Sequence, residues 1–189
     1  MQNHARKYVE DLHSLVTHGL QPISRQVDEA RGREHPDAGQ LIAELQRTLQ
    51  EHERARAERM RALGTSPTSG VQDAAGVVAG IVAGIYNQVR SEAVSKSLRD
   101  DYTFIGHCCI SWLMLMTTAR SLGDHETEEL AEQGYRDCAR LVTRIDRVMP
   151  SLVTEELQQD GFAPQDVADW AQRIVSDAWT REQVGSPMG

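Results

Sequence analysis

Apolar residues recur every three or four positions along most of this chain, and no segment shows a convincing strand pattern. One stripe is Val9, Leu12, Val16, Leu20, Ile23 and Val27. A second is Leu41, Leu45, Leu49, His52, Ala55 and Met60. A third is Ile105, Cys108, Cys109, Trp112, Leu115, Met116 and Ala119, and a fourth is Leu130, Gly134, Cys138, Leu141, Ile145 and Val148. Such spacing predicts four long helices, near residues 5–30, 37–63, 100–122 and 125–149. The start and stop signals agree: Asp37 and Asp124 precede two of them, and Gly64, Gly123 and Pro150 close three. Pro22 should kink the first. In the third, Ile110, Leu113 and Met114 carry apolarity around the cylinder, which predicts a helix buried at the centre of its bundle. A last helix is predicted from Pro164 to about Trp179, with Val167, Trp170, Ile174 and Ala178 as its docking stripe.

The segment from Ala74 to Tyr86 is different in kind. Gly76, Gly80 and Gly84 repeat every four residues, in step with Ala75, Ala79 and Ala83. A helical glycine costs roughly 1 kcal/mol relative to alanine, so three of them imply a reason. The expected reason is close packing of this ridge inside the chain, with a dimer contact as the alternative.

These segments fit one all-α domain over residues 5–182, with a core at 5–149, a docking helix at 164–181 and a mobile tail at 183–189. The chain has 189 residues, enough for a substantial core, and a net charge of −8 that argues against a nucleic-acid partner. Cys108, Cys109 and Cys138 have neither disulfide-framework nor zinc-finger spacing and read as reduced core thiols of a cytoplasmic protein. Met1 to Tyr8 is polar and lacks the apolar run of a secretory signal. Ala74 to Tyr86 is too short for a transmembrane helix, which needs about 20 residues.

Two long helices, a small-residue segment and two more long helices make an order that resembles the ferritin-like, YciF-type family of bacterial stress-response proteins. The residues carrying the resemblance are Tyr8-Val9-Glu10-Asp11-Leu12, the run from His52 to Leu63-Gly64, and Trp112 to Gly123 with Ala119 and Leu122. It covers about Tyr8 to Met149. The resemblance implies a four-helix bundle with a crossover helix, to which this chain adds a C-terminal helix. It also implies a di-iron centre, which needs about four carboxylates and two histidines on facing helices. Laid on this chain, those ligand positions become Val16, His52, Ala55, Ile105, Cys108 and Asp137. Only His52 and Asp137 keep ligand character of the expected kind, and no Asp or Glu occurs from Tyr102 to Gly123. The expected function is therefore a non-catalytic bundle, without cofactor, acting in a stress response as a homodimer or through a protein partner.

Two other functions follow from the same positions. His52, Cys108 and Asp137 offer imidazole, thiolate and carboxylate, a set that could hold one metal ion in a mononuclear or redox protein. Against this stands a plain core histidine satisfied by a carboxylate. Alternatively, the small or apolar Val16, Ala55 and Ile105 could leave room for a small apolar ligand. Glu10-x-x-His13 occurs once, where a di-metal bundle needs the motif twice, and reads as a solvated pair. No phosphate loop or nucleophile motif is present.

Overall fold

The computed structural model describes residues 2–28, 34–66, 80–86 and 93–184, and these are all-α, with no strand among them. The helices are α1 (Gln2–Asp28), α2 (Pro36–Ala62), α3 (Val94–Leu122), α4 (His125–Gln159) and α5 (Ala168–Val184). Residues 80–86 are also helical. The tail from 185 and the first part of the small-residue segment, including Gly76, lie outside the described residues.

Several boundaries depart from the expected ones for reasons that lie far away in the chain. α3 starts at Val94 rather than near Asp100, because Glu156 of α4 caps it: the Ser95 backbone N–H donates to Glu156 Oε1 at 2.9 Å. α4 does not end at Pro150 but continues to Gln159. A proline inside a helix withholds its N–H from the carbonyl four residues back, here Asp146. Gln172 of α5 fills that role, donating from Nε2 to the Asp146 carbonyl at 3.2 Å and the Arg147 carbonyl at 2.8 Å. α2 has His35 at its N-cap and Pro36 at its first position, so Asp37 sits in the first turn rather than at the cap. Asp124 does cap α4, accepting from the Thr127 N–H at 3.1 Å, and Gly64 and Gly123 take the left-handed conformation (φ 75° and 72°) that closes the helices before them.

α1 packs along α2 and α3 along α4, while α1 also meets α3 and α2 meets α4; α2 and α3 barely touch. Cross-contacts set the directions. Gln26, late in α1, reaches Asp101, early in α3. Arg59, late in α2, reaches Asp124 at the head of α4, and His35 reaches Glu155 near its end. So α1 runs opposite to α3, and α2 opposite to α4. The inward stripes repeat in alternating steps of three and four: Val94, Leu98, Asp101, Ile105, Cys108, Trp112, Leu115 and Ala119 on α3, and Thr127, Ala131, Gly134, Cys138, Leu141, Ile145, the partly buried Val148 and Leu152 along α4. A 3.5-residue average repeat keeps a seam facing its partner along long helices.

Two glycines admit the largest side chains of α3. A Cβ on Gly134 would lie 2.3 Å from Trp112 Cε2, and one on Gly19 would lie 2.0 Å from Phe104 Cζ. Both aromatic rings are fully buried. The glycines of the small-residue segment behave otherwise. Gly80 and Gly84 are exposed, with nothing within 4 Å of a Cβ at either position. That overturns the expectation of internal packing for these two: the segment docks through Val82, Ile81, Ile85 and Tyr86 on its other side.

Two further expectations need correction. α3 is not buried all round, since Ile110 is 58 % exposed and Leu113 and Met114 also face solvent. Helix pairing covers only the sides that face α1 and α4. The expected docking stripe points outward: Val167, just before α5, and Trp170, Ile174 and Ala178 on it are exposed. Gln172 hydrogen-bonds to α4, and that anchor turns Ala168, Ala171 and Val175 inward instead.

Gly134→Ala should lower stability by about 1–3 kcal/mol through overpacking against Trp112, even after alanine's better helix propensity. Gly84→Ala should raise it by up to about 1 kcal/mol. Calorimetric melts of both variants check the contrast, and shifts of the same sign would contradict it.

Candidate functional site

His52, Asp137 and Cys108 come from α2, α4 and α3 respectively, and the structure brings the first two together. His52 Nε2 lies 3.3 Å from Asp137 Oδ2, and the imidazole sits edge-on to Trp112 with ring centroids 5.2 Å apart. Burial, with the charge of Arg56 adding to it, holds His52 below the usual histidine range against the pull of Asp137. His52 is therefore neutral at pH 7, with Nε2–H donating to the carboxylate. Asp137 also accepts from Gln133 Nε2 at 3.0 Å and pairs with Arg140 at 3.1 Å.

At the heart of this region lies a residue absent from the expected stripe. Arg56 is fully buried, and its guanidinium carbon stands 5.1 Å from the centroid of the Trp112 ring. Nε, Nη1 and Nη2 have no hydrogen-bond partner among the described residues. Burial brings its pKa down to about 10, so it remains charged at neutral pH. An ion taken out of water costs several kcal/mol even after relaxation, and a cation–π contact returns about 2. Around it, His13 Nδ1, His52 Nδ1 and Trp112 Nε1 are also buried without partners. His13 is held below its usual pKa by burial first and by Arg56 second, so it too is neutral.

Two of the thiols, Cys108 and Cys138, are neutral as well. Burial pushes Cys108 up to about 12. Cys138 is raised well above its ordinary value by its hydrogen bond to Cys109 and by burial, while the same bond lowers Cys109, which is half-buried. Metals bind thiolates, so Cys108 is a poor ligand as it stands. Among the described residues no group of three or more His, Cys, Asp or Glu is placed to hold a metal ion.

The di-iron set implied by the resemblance does not fit these residues. Val16, Ile105 and Cys108 are fully buried without a carboxylate among them, and Ala55 is half-buried while its neighbour Arg56 points inward. An unpaired guanidinium would repel a dication placed beside it. Glu10 pairs with Arg6 at the exposed edge of α1 rather than with His13.

A second buried polar group sits nearer the start of α3. Asp101 is fully buried; Tyr86 Oη donates to its Oδ1 at 2.9 Å and Gln26 Nε2 donates to the same atom at 3.1 Å. Oδ2 has no partner. Burial outweighs both hydrogen bonds and raises the carboxyl to about 7.

Compared with protein-family models, curated proteins and solved structures, the chain matches none of them.

Asp101 sets a testable pH dependence. Folded, it keeps its proton up to about pH 7; unfolded, it loses it near 3.8. The folded state binds more protons in that window, so this group makes stability fall as pH rises through it. Asp101→Asn keeps an oxygen for Tyr86 and Gln26 but cannot ionise. Its stability relative to the parent should increase as pH rises from about 5 to about 8. Denaturant melts across that range would check this; a flat difference would contradict it.

Proposed function

We propose that the chain is a ferritin-like four-helix bundle that has lost its di-iron site and acts without catalysis, by assembly or partner binding in a stress response. The observation that carries this reading is Arg56. Where a metalloprotein of that plan would gather carboxylates around metal ions, this interior holds a fixed cation among neutral thiols, histidines and apolar side chains. The helix directions support the fold part of the proposal. α1 opposes both α2's hairpin direction and α3, so α2 and α3 run the same way and need a crossover between them. That is the connection the resemblance implies.

Assembly is supported by what faces outward. Trp170 is 59 % exposed and Ile174 is 54 % exposed on α5, with Val167 beside them. Exposed tryptophan next to aliphatic residues is the composition of interface anchors. We take the cytoplasm as its compartment and a second copy of the chain as its first partner. Among the described residues no helix is long and apolar enough to cross a membrane. A single metal ion on His52, Cys108 and Asp137 is the alternative; His52 and Asp137 lie together at 3.3 Å, while burial keeps the Cys108 thiol protonated.

Protein purified after growth with added iron should carry far less than one iron per chain, by elemental analysis, and show no peroxide-dependent ferroxidase activity. About two irons per chain would overturn the proposal. Zinc titration of the parent and His52→Ala should give equal, negligible binding; tight binding lost in the variant would favour the alternative. Light scattering should find a dimer that Trp170→Glu converts to monomer, and a monomeric parent would remove self-assembly from the proposal.

A further inference from the structure

The hairpin of α3 and α4 brings the three cysteines to one level of the bundle. Cys109 lies fourteen residues before Gly123 and Cys138 fourteen after Asp124, and positions equally far from the turn of an antiparallel helix pair face each other. The seating of Trp112 on Gly134, one turn nearer the hairpin, fixes the same register. Across it the Cys138 S–H donates to Cys109 Sγ. Two hydrogen-bonded sulfurs need only a short side-chain movement to reach the about 2.05 Å of a disulfide.

The thiols differ in access. Cys108 and Cys138 are buried, whereas Cys109 is half-buried at the edge of the core, with His107 and Ile110 near it in the chain facing solvent. They differ in charge too. Burial pushes Cys108 up to about 12, while the hydrogen bond from Cys138 lowers Cys109. The thiolate is the nucleophile, so the accessible sulfur is also the reactive one.

We propose that Cys109 and Cys138 form an oxidation site for hydrogen peroxide, Cys109 attacking and Cys138 resolving, which turns their contact into a disulfide between α3 and α4. The Cys109 thiolate attacks one peroxide oxygen; an S–O bond forms, the O–O bond breaks, and the departing hydroxide takes up the proton Cys109 had released, giving water. Cys138 then attacks the sulfenic sulfur; the S–S bond forms, the S–O bond breaks, and hydroxide leaves with the Cys138 proton as a second water. Two thiols lose two electrons, and one peroxide becomes two waters. The charge of Arg56 acts on Cys138 against the effect of burial and favours an anionic sulfur as it attacks. Cys108, the one thiol left over, cannot reduce the disulfide alone. Each chain therefore reacts once, so oxidation marks the protein and does not clear peroxide. The fold family plays no part in this chemistry.

The test uses the full chain, reduced and then freed of reductant under nitrogen. It is treated with a slight excess of hydrogen peroxide, and free thiols are counted in denaturant. The parent should fall from three thiols to one without forming a cross-linked dimer, and dithiothreitol should restore all three. Cys108→Ala should lose both of its thiols, and Cys109→Ala should keep both. Cys138→Ala should keep Cys108 and stop at a sulfenic acid on Cys109, which a cyclic 1,3-diketone traps as an adduct seen by mass. If Cys138→Ala does not fold, the contrast between Cys108→Ala and Cys109→Ala decides. A parent that keeps three thiols or links between chains would overturn the proposal. So would loss of both thiols in Cys109→Ala, which places the bond at Cys108–Cys138, or in Cys138→Ala, which places it at Cys108–Cys109.

Discussion

The contact on which the rest of the interior depends is the seating of Trp112 against Gly134. The indole fits because α4 has no side chain at that point, and a Cβ there would lie 2.3 Å from the ring. Once seated, the ring does two further things. It gives Arg56 a face to lie over at 5.1 Å and gives His52 an edge-on neighbour at 5.2 Å. Three helices are thereby fixed in register by one side chain. Burying a tryptophan of this kind is worth about 3–5 kcal/mol as judged by truncation to alanine. The cation–π contact contributes about 2 at best, which does not offset the desolvation of an unpaired guanidinium. The ring therefore shelters Arg56 without neutralising it, and the arginine is tolerated rather than stabilising.

Away from the middle, polar contacts fasten the ends, and α4 takes part in many of them. At its head, Arg59 donates to Thr127 Oγ1 at 2.7 Å and to Asp124 Oδ1 at 2.6 Å, and also binds Glu126. Burial pushes the Asp124 carboxyl up, but hydrogen bonds from Thr127 and Arg59 more than offset this and hold it below its usual value. Near its end, Glu155 meets His35 at 2.8 Å and Glu156 caps α3. One turn before Pro150, its Asp146 and Arg147 carbonyls hold α5. α2, α3 and α5 are each tied to α4 by hydrogen bonds that span many residues of sequence.

That long range explains what could be read from the chain and what could not. The four stripes gave helix number and type, because periodicity is a local signal. The caps at Asp124, Gly64 and Gly123 were local too, and the structure keeps them. α3's start could not be read locally, since its cap is Glu156, sixty-one residues on. Neither could the survival of α4 through Pro150, whose missing donor is replaced from another helix. At the site, His52 and Asp137 were legible as a facing pair. Arg56 and Asp101 do not stand out as interior residues in the sequence, because charged side chains are almost never fully buried without a partner. Their spacing did mark them: four after His52 and four before Met60 for one, three after Leu98 and four before Ile105 for the other. Continuing the stripe on spacing alone would have found both. Gly80 and Gly84 misled in the opposite direction, because small size permits close approach without requiring it.

The glycine under Trp112 also constrains how such a sequence can drift. Position 134 accepts no side chain while the indole is present, and a smaller residue at 112 leaves a void while 134 stays glycine. Neither position can change first without a destabilised intermediate, so the two should be inherited as a unit. Arg56 is bound into the same unit, since a smaller ring would strip its one aromatic neighbour. Descendants of this chain should therefore differ at these three places together or not at all, while the exposed Gly80 and Gly84 wander freely.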